Sequence, residues 1–171
     1  MSSSINRIQF LRGDLSGKRD PIRPPWSLSE PEFIDKCNRC GDCVPACEYE
    51  IIVIGRGGYP EIDFSKGGCD FCADCVPVCK PGAISKNAGE DSVPWKLKAK
   101  ILAPCLSLNA VICRSCGEAC EVEAIKFKLE VGGIARPLLD LEKCNGCGEC
   151  FVACPDNSVQ IAAVETCEQA A

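Results

Sequence analysis

Four runs of closely spaced cysteines constrain this chain more than any other feature. The first, CNRCGDCVPAC, follows C-x2-C-x2-C-x3-C, and two later runs repeat that spacing without deviation. Three thiols within seven residues let the backbone curl around one iron–sulfur cubane with its amides turned toward the sulfurs. The pattern therefore predicts four [4Fe-4S] clusters. The sixteen candidate ligands are Cys37, Cys40, Cys43, Cys47, Cys69, Cys72, Cys75, Cys79, Cys105, Cys113, Cys116, Cys120, Cys144, Cys147, Cys150 and Cys154.

The third run is irregular, because seven residues separate Cys105 from Cys113 and Ala110 stands where the regular spacing would place the first cysteine. Widening this loop costs roughly 0.9 kcal/mol by the logarithmic closure estimate. A structural metal site contributes on the order of 10 kcal/mol, with zinc as the yardstick. We therefore expect Cys105 to be a ligand and residues 106–112 to form an apolar bulge over the cluster. The alternative is a three-iron centre beside a buried Cys105 thiol.

Other uses of so many thiols fit the sequence less well. Structural zinc favours C-x2-C pairs separated by roughly 15–20 residues rather than three cysteines within seven. Residues 1–30 contain no apolar signal region, so we expect a cytoplasmic location, where disulfides are rare. No apolar run approaches the roughly 20 residues of a membrane span. Cys167, outside the four runs, is expected to be a free thiol.

The composition argues against an enzyme. The chain has no histidine, which removes the usual general base and a Rieske-type centre. The stretch GRGG at 55–58 lacks the Gly-Lys-Ser/Thr ending of a phosphate-binding loop. We therefore expect a non-enzymatic electron carrier or accessory subunit, with no nucleic-acid partner, although a binding module with purely structural clusters stays open. Few aromatic residues are present to build a core, so the protein without clusters should fold poorly.

The sequence divides into an arm and two copies of one unit. Residues 1–26 form an arm with a net charge of plus three, which serves either as a docking element or as a clamp on the acidic body. CEYEIIVIGRGGYPEID at 47–63 aligns with CEVEAIKFKLEVGGIARPLLD at 120–140, which indicates duplication of a two-cluster unit. We predict domains at 27–88 and 89–171.

Local patterns predict short elements of an α+β fold. Apolar segments joined by glycines predict a β-hairpin in each copy, around GRGG and around Gly132. The alternating WKLKAKI at 95–101 and the segment SVQIAAV at 158–164 are predicted strands. Ser29 and Glu32 fit a capping box at the start of a short helix.

The regular runs resemble those of bacterial two-cluster ferredoxins, in which the fourth cysteine of one run binds the cluster of the other. The proline that usually follows it is present as Pro155, shifted to Pro81, and replaced by Glu48 and Glu121. The resemblance implies Cys37, Cys40, Cys43 with Cys79 for cluster 1; Cys69, Cys72, Cys75 with Cys47 for cluster 2; Cys105, Cys113, Cys116 with Cys154 for cluster 3; and Cys144, Cys147, Cys150 with Cys120 for cluster 4.

A narrower resemblance covers nearly the whole chain. The C-x7-C-x2-C-x3-C third run, the arm ending in IRPPW at 22–26 and GGYP at 57–60 are similar to the NapF family, the ferredoxin-type accessory proteins of periplasmic nitrate reductase systems. The resemblance implies a cytoplasmic protein that contacts the precursor of the nitrate reductase catalytic subunit before export. General electron supply to another redox protein is the alternative.

Overall fold

The computed structural model describes residues 21–86, 93–130 and 132–163. The described residues form two compact units, which we call the N-terminal unit (21–63, 71–86 and 93–94) and the C-terminal unit (64–70, 95–130 and 132–163). The predicted ranges 27–88 and 89–171 stay a prediction about the duplicated copies. In the described part of the chain, no helix has the length and apolar character needed to cross a membrane.

The N-terminal unit contains one helix and one hairpin. Helix α1 spans Glu30–Lys36, and strands β1 (Ile52–Ile54) and β2 (Pro60–Ile62) pair antiparallel, as predicted. The connecting turn includes Gly57 and Gly58, both with positive φ, which explains two of the three glycines of GRGG without any phosphate-binding role.

The start of α1 differs from the predicted capping box. Ser29 is the N-cap residue, but its hydroxyl donates to the Glu32 carboxylate at 2.7 Å, and no side-chain bond reaches a backbone amide. The helix is held instead by burial of Phe33 and Ile34. Packing of two apolar side chains therefore fixes this short helix, and the cap prediction was wrong in its hydrogen bonds.

The C-terminal unit contains two antiparallel ribbons. The hairpin around Gly132 is confirmed, and the predicted strands at 95–101 and 158–164 are present and pair with each other. Two short helices lie within the third and fourth cysteine runs. The elements are β3 (Leu97–Ile101), α2 (Ser115–Glu118), β4 (Ile125–Leu129), β5 (Ala135–Leu139), α3 (Glu149–Val152) and β6 (Val159–Ala163).

The N-terminal unit has a reduced counterpart of the β3–β6 ribbon. An isolated antiparallel bridge joins Ser27 to Ile84, and the Leu28 amide donates to the Ala83 carbonyl at 3.0 Å. In the C-terminal unit the Leu102 amide donates to the Ser158 carbonyl in the same way, at 2.8 Å. The two units therefore share one plan. Each has a two-stranded hairpin, and in each the segment before the first cysteine run pairs with the segment after the last one. This is the α+β dicluster fold predicted from the sequence.

Arg23, which the sequence analysis counted with the basic arm, lies inside the N-terminal unit. Its side chain is 8% exposed and binds the Glu30 carboxylate through two nitrogens, at 2.7 and 2.9 Å. Its guanidinium also lies 5.0 Å from the Phe33 ring centroid and donates to the Pro60 carbonyl. Pro24 and Pro25 beside it are fully buried. The segment 22–26 therefore belongs to the folded core.

Replacing Arg23 by methionine should lower the free energy of unfolding by roughly 3–5 kcal/mol, because it leaves the half-buried Glu30 carboxylate and the buried Glu61 carboxylate, 4.0 Å from Arg23, without their cation. The matched control is Arg136→Met, which breaks the exposed Arg136–Glu130 pair and should cost about 1 kcal/mol or less. Anaerobic denaturant titration followed by cluster absorbance measures both. Equal midpoints for the two variants would contradict a structural role of Arg23.

Candidate iron–sulfur centres

Three of the four predicted ligand sets, those of clusters 1, 3 and 4, each line a separate cavity. Among the described residues no group of three or more cysteine or carboxylate side chains is arranged to hold a single metal ion. The sets that line one cavity each are Cys37, Cys40, Cys43 and Cys79; Cys105, Cys113, Cys116 and Cys154; and Cys120, Cys144, Cys147 and Cys150.

The set for cluster 2 is placed only in part. Cys47, Cys72 and Cys75 lie in the N-terminal unit, where Cys72 and Cys47 both act electrostatically on Cys75. Cys69 lies in the C-terminal unit, where its amide donates to the Cys147 carbonyl at 2.7 Å. The assignment of Cys69 to cluster 2 therefore rests on the spacing of its run.

In the regular runs, residues with left-handed backbone conformation alternate along the loop and turn the backbone amides inward. In each of the three, the residues two and four positions after the first cysteine have positive φ. Such alternation makes a nest of N–H groups that binds anions, and iron–sulfur sites are among its known uses. A cluster with four thiolates is an anion, so the loop shape fits the group. The residues with positive φ are Arg39 and Gly41, Phe71 and Ala73, and Gly146 and Gly148.

In every run, the fourth cysteine is followed by a turn that was not predicted from the sequence. The residue three positions after it has positive φ, and its amide donates to the carbonyl of that cysteine. Gly and Asn are common in this conformation, whereas Glu is not, so only half of these turns carry a sequence signal. The turn residues are Glu50, Gly82, Glu123 and Asn157.

These turns bring backbone donors to the sulfurs of the fourth cysteines. In three of the four runs an amide four or five residues later donates to Sγ, and such bonds offset the negative charge of a thiolate ligand. They lie where a bound cluster needs them, which supports the fit of the residues to the group. The bonds run from Ile84 to Cys79 at 3.3 Å, from Ala124 to Cys120 at 3.2 Å and from Ser158 to Cys154 at 3.1 Å.

The detour in the third run returns Cys105 to its cavity. Residues Leu106–Asn109 form a 3-10 turn that ends at Ala110 in the left-handed conformation, and the Ser107 hydroxyl donates to the Ala135 carbonyl of β5. Cys105 then lines the same cavity as Cys113, Cys116 and Cys154. The predicted apolar bulge was wrong at its end, because Val111 and Ile112 point to solvent, with 51% and 80% of their surfaces exposed.

Burial makes the deprotonated form of these thiols unfavourable unless a cation such as iron is bound. It raises the pKa of Cys43 and Cys116 to about 11 and that of Cys75 and Cys150 to about 12, and neighbouring thiols add to the effect. The pKa of Cys37 is also raised, first by burial, as is that of Cys147. Ligating thiols must be deprotonated. The buried thiolates therefore need a positively charged partner, which an iron–sulfur core supplies.

Gly146 is a position at which the backbone limits substitution. Its φ is +74°, and a Cβ there would lie 2.8 Å from the carbonyl carbon of Leu97 in β3. We expect Gly146→Ala to displace β3 from the run that carries Cys144 and Cys147 and to lower the iron content by about four atoms, one cluster.

Gly133→Ala is the matched control, because Gly133 has a φ of +79° and open space where its Cβ would stand. It should cost about 1 kcal/mol and keep all the iron. Iron analysis of both variants after anaerobic purification makes the test, and full iron in Gly146→Ala would contradict it.

Fold and site together define a ferredoxin-type protein with two dicluster domains. Family models described as 4Fe-4S dicluster domain match residues 36–84 and 111–158. The second match begins after Cys105, in agreement with the irregular position of that cysteine. Two such domains and sixteen cysteines mean four [4Fe-4S] clusters, so the zinc alternative does not apply.

Comparison with curated proteins shows which family of ferredoxin-type proteins the chain belongs to. The chain is 44% identical to the ferredoxin-type protein NapF of Haemophilus influenzae, over 91% of this chain and 93% of that protein. It is 38% identical to ferredoxin-type protein NapF of Escherichia coli, over 93% and 95% respectively. A methylamine utilization ferredoxin-type protein MauM from Methylophilus methylotrophus is 33% identical over 78% of this chain. The chain belongs to the NapF family of ferredoxin-type proteins, which are electron carriers and not enzymes.

Proposed function

We propose that this chain is a cytoplasmic polyferredoxin that assists maturation of the periplasmic nitrate reductase catalytic subunit before its export. Membership of the NapF family carries this proposal, since family likeness links the chain to nitrate reductase systems. A cytoplasmic location would keep its thiols reduced and give access to the unexported precursor.

The sulfurs of the N-terminal unit offer a route for electrons to a partner. Cys40 and Cys72 are exposed, whereas Cys43 and Cys75 of the same runs are buried. An exposed ligand brings the edge of a cluster to the surface, where a docked protein can exchange electrons with it. We propose that the chain contacts its partner through the surface on which Cys40 and Cys72 are exposed.

General electron supply to another oxidoreductase is the second candidate. Its support is the likeness to MauM, a ferredoxin-type protein whose name links it to methylamine utilization rather than to nitrate. A relative of this chain is therefore named for a system other than nitrate reduction.

Co-purification tests the first candidate. The tagged chain is expressed anaerobically with the precursor of the catalytic subunit, and with the mature subunit as a control. We expect the precursor to be retained and the mature form to be lost. A truncation that removes residues 1–20 tests the arm, and it stops there because Arg23, Pro24 and Pro25 belong to the core.

Three outcomes separate the functions. Retention of the precursor that requires intact clusters supports maturation. Reversible reduction of the clusters without any retention supports a general carrier and contradicts maturation. Clusters that stay oxidised at physiological potentials leave a binding module in which they only hold the fold.

A further inference from the structure

A lysine is hydrogen-bonded to Cys144, the first ligand of cluster 4, although it is not itself a ligand. Lys98, on β3, donates from its ammonium to the Cys144 carbonyl at 2.5 Å, and the next residue, Ala99, donates its amide to the Cys144 sulfur at 3.4 Å. Cys144 and Ala99 are buried and Lys98 is half-buried. A positive charge is thus held against the backbone of a ligand residue and only partly screened by water.

Cluster 3 of the same unit has the opposite surroundings. Asp156 lines its cavity, and the Asp156 carboxylate accepts a hydrogen bond from the Ser158 hydroxyl at 2.7 Å. Among the described residues that line the cluster 4 cavity, none is an aspartate, glutamate, lysine or arginine. Cluster 4 therefore has a half-buried cation bonded to a ligand residue, whereas cluster 3 has an exposed carboxylate at its cavity.

These charges act on reduction potential in opposite directions. Reduction adds one negative charge to a cluster, so a nearby cation stabilises the reduced form and a nearby anion destabilises it. Hydrogen bonds to the sulfurs raise the potential in the same sense as a cation. Backbone amides donate to three ligand sulfurs of cluster 4, from Ala99 to Cys144, from Ala124 to Cys120 and from Glu149 to Cys147, in addition to the Lys98 bond to the Cys144 carbonyl.

We propose that Lys98 and Asp156 hold the reduction potential of cluster 4 above that of cluster 3, so that cluster 4 is the preferred electron site of the C-terminal unit. The proposal rests on the ligand sets given above. The transfer it favours moves one electron, with cluster 3 oxidised as cluster 4 is reduced, and it makes or breaks no bond.

Two nearby charges oppose this ordering, and both are weaker. The Glu149 carboxylate acts on Cys147 of cluster 4, where the Glu149 amide also donates to the same sulfur and offsets it. Arg114 lies next to Cys113 of cluster 3 and is exposed, as Asp156 is, but Asp156 lines the cavity and Arg114 does not, so solvent screens Arg114 more completely. Lys98 is hydrogen-bonded directly to a ligand residue, so its effect is the larger.

Potentiometric titration monitored by paramagnetic resonance tests the proposal on the full chain with its clusters. Lys98→Met should lower one of the four midpoint potentials and leave the other three unchanged. Lys98→Arg, which keeps the charge, and Lys96→Met, which removes an exposed lysine just before β3, should leave all four unchanged. Asp156→Asn should raise a different midpoint, which in the wild type lies below the one that Lys98→Met lowers.

Several results would overturn the proposal. These are no shift in Lys98→Met, the same shift in Lys96→Met, one midpoint moved by both Lys98→Met and Asp156→Asn, or the reverse wild-type order. Iron analysis accompanies each titration. Lys98→Gln is a second variant that also removes the charge of Lys98. Loss of about four irons in both Lys98 variants would make the lysine a requirement for cluster binding and would overturn a tuning role. Fewer than about sixteen irons in the wild type would instead contradict the ligand sets.

Discussion

We expect Cys105→Ala to lower the iron content of the anaerobically purified protein from about sixteen atoms per chain to between about twelve and fifteen, and to change the paramagnetic resonance of one cluster. The detour through Leu106–Asn109 returns Cys105 to the cavity lined by Cys113, Cys116 and Cys154. Without that thiolate one corner of cluster 3 has no protein ligand. The cluster then loses one iron to become a three-iron centre, or it is lost entirely.

Cys167→Ala is the matched control for this experiment. It removes a cysteine that lies outside the four runs and outside the described residues, and it should leave iron content and spectra unchanged. If Cys105→Ala behaves like this control in both measurements, the outlying cysteine is not a ligand. The third centre of the native protein would then be a three-iron centre, with Cys105 as a buried thiol.

We expect removal of iron to unfold the protein. Anaerobic treatment with a chelator and a thiol reductant should abolish the cooperative thermal transition and make residues 37–154 sensitive to protease. The reason is that the core is built around the cavities, and a structural metal site contributes on the order of 10 kcal/mol to folding. The buried thiols Cys75 and Cys150, with pKa values raised to about 12, are protonated at neutral pH without iron and no longer hold the loops together.

Reconstitution is the control for iron removal. Adding iron and sulfide under reducing conditions should restore protease resistance, whereas adding zinc alone should not. A chain that keeps its thermal transition at the same temperature after complete iron removal would show that the apolar core suffices. That core includes Phe33, Ile51 and Tyr59, each less than 5% exposed.

The sequence was most informative where a feature repeats or where one residue type dominates. The hairpin positions follow from glycines between short apolar segments, and both hairpins are present as predicted. The strands at 97–101 and 159–163 were predicted separately, but their pairing was not. Their partners lie some 60 residues apart in sequence, and a period-two pattern does not specify which strand pairs with which.

Features that depend on packing or on unusual backbone conformation could not be predicted. Glu50 and Glu123 have positive φ, which a glutamate rarely adopts, so the turns after their cysteines carry no sequence signal. Arg23 was counted with a charged arm because neighbouring residues are basic, whereas its burial depends on Glu30 and Phe33, which follow later in the chain. Val111 and Ile112 were expected to cover a cluster because they are apolar, but the 3-10 turn before them directs them outward.

Iron and acid-labile sulfide analysis of the anaerobically purified wild-type chain, combined with its intact mass under native conditions, tests the account most directly. Four [4Fe-4S] clusters predict about sixteen iron and about sixteen sulfide atoms per chain, with zinc near zero. About fifteen irons would contradict the complete third cluster. A colourless, folded protein with about four zinc ions and no sulfide would contradict the iron–sulfur assignment and every proposal built on it.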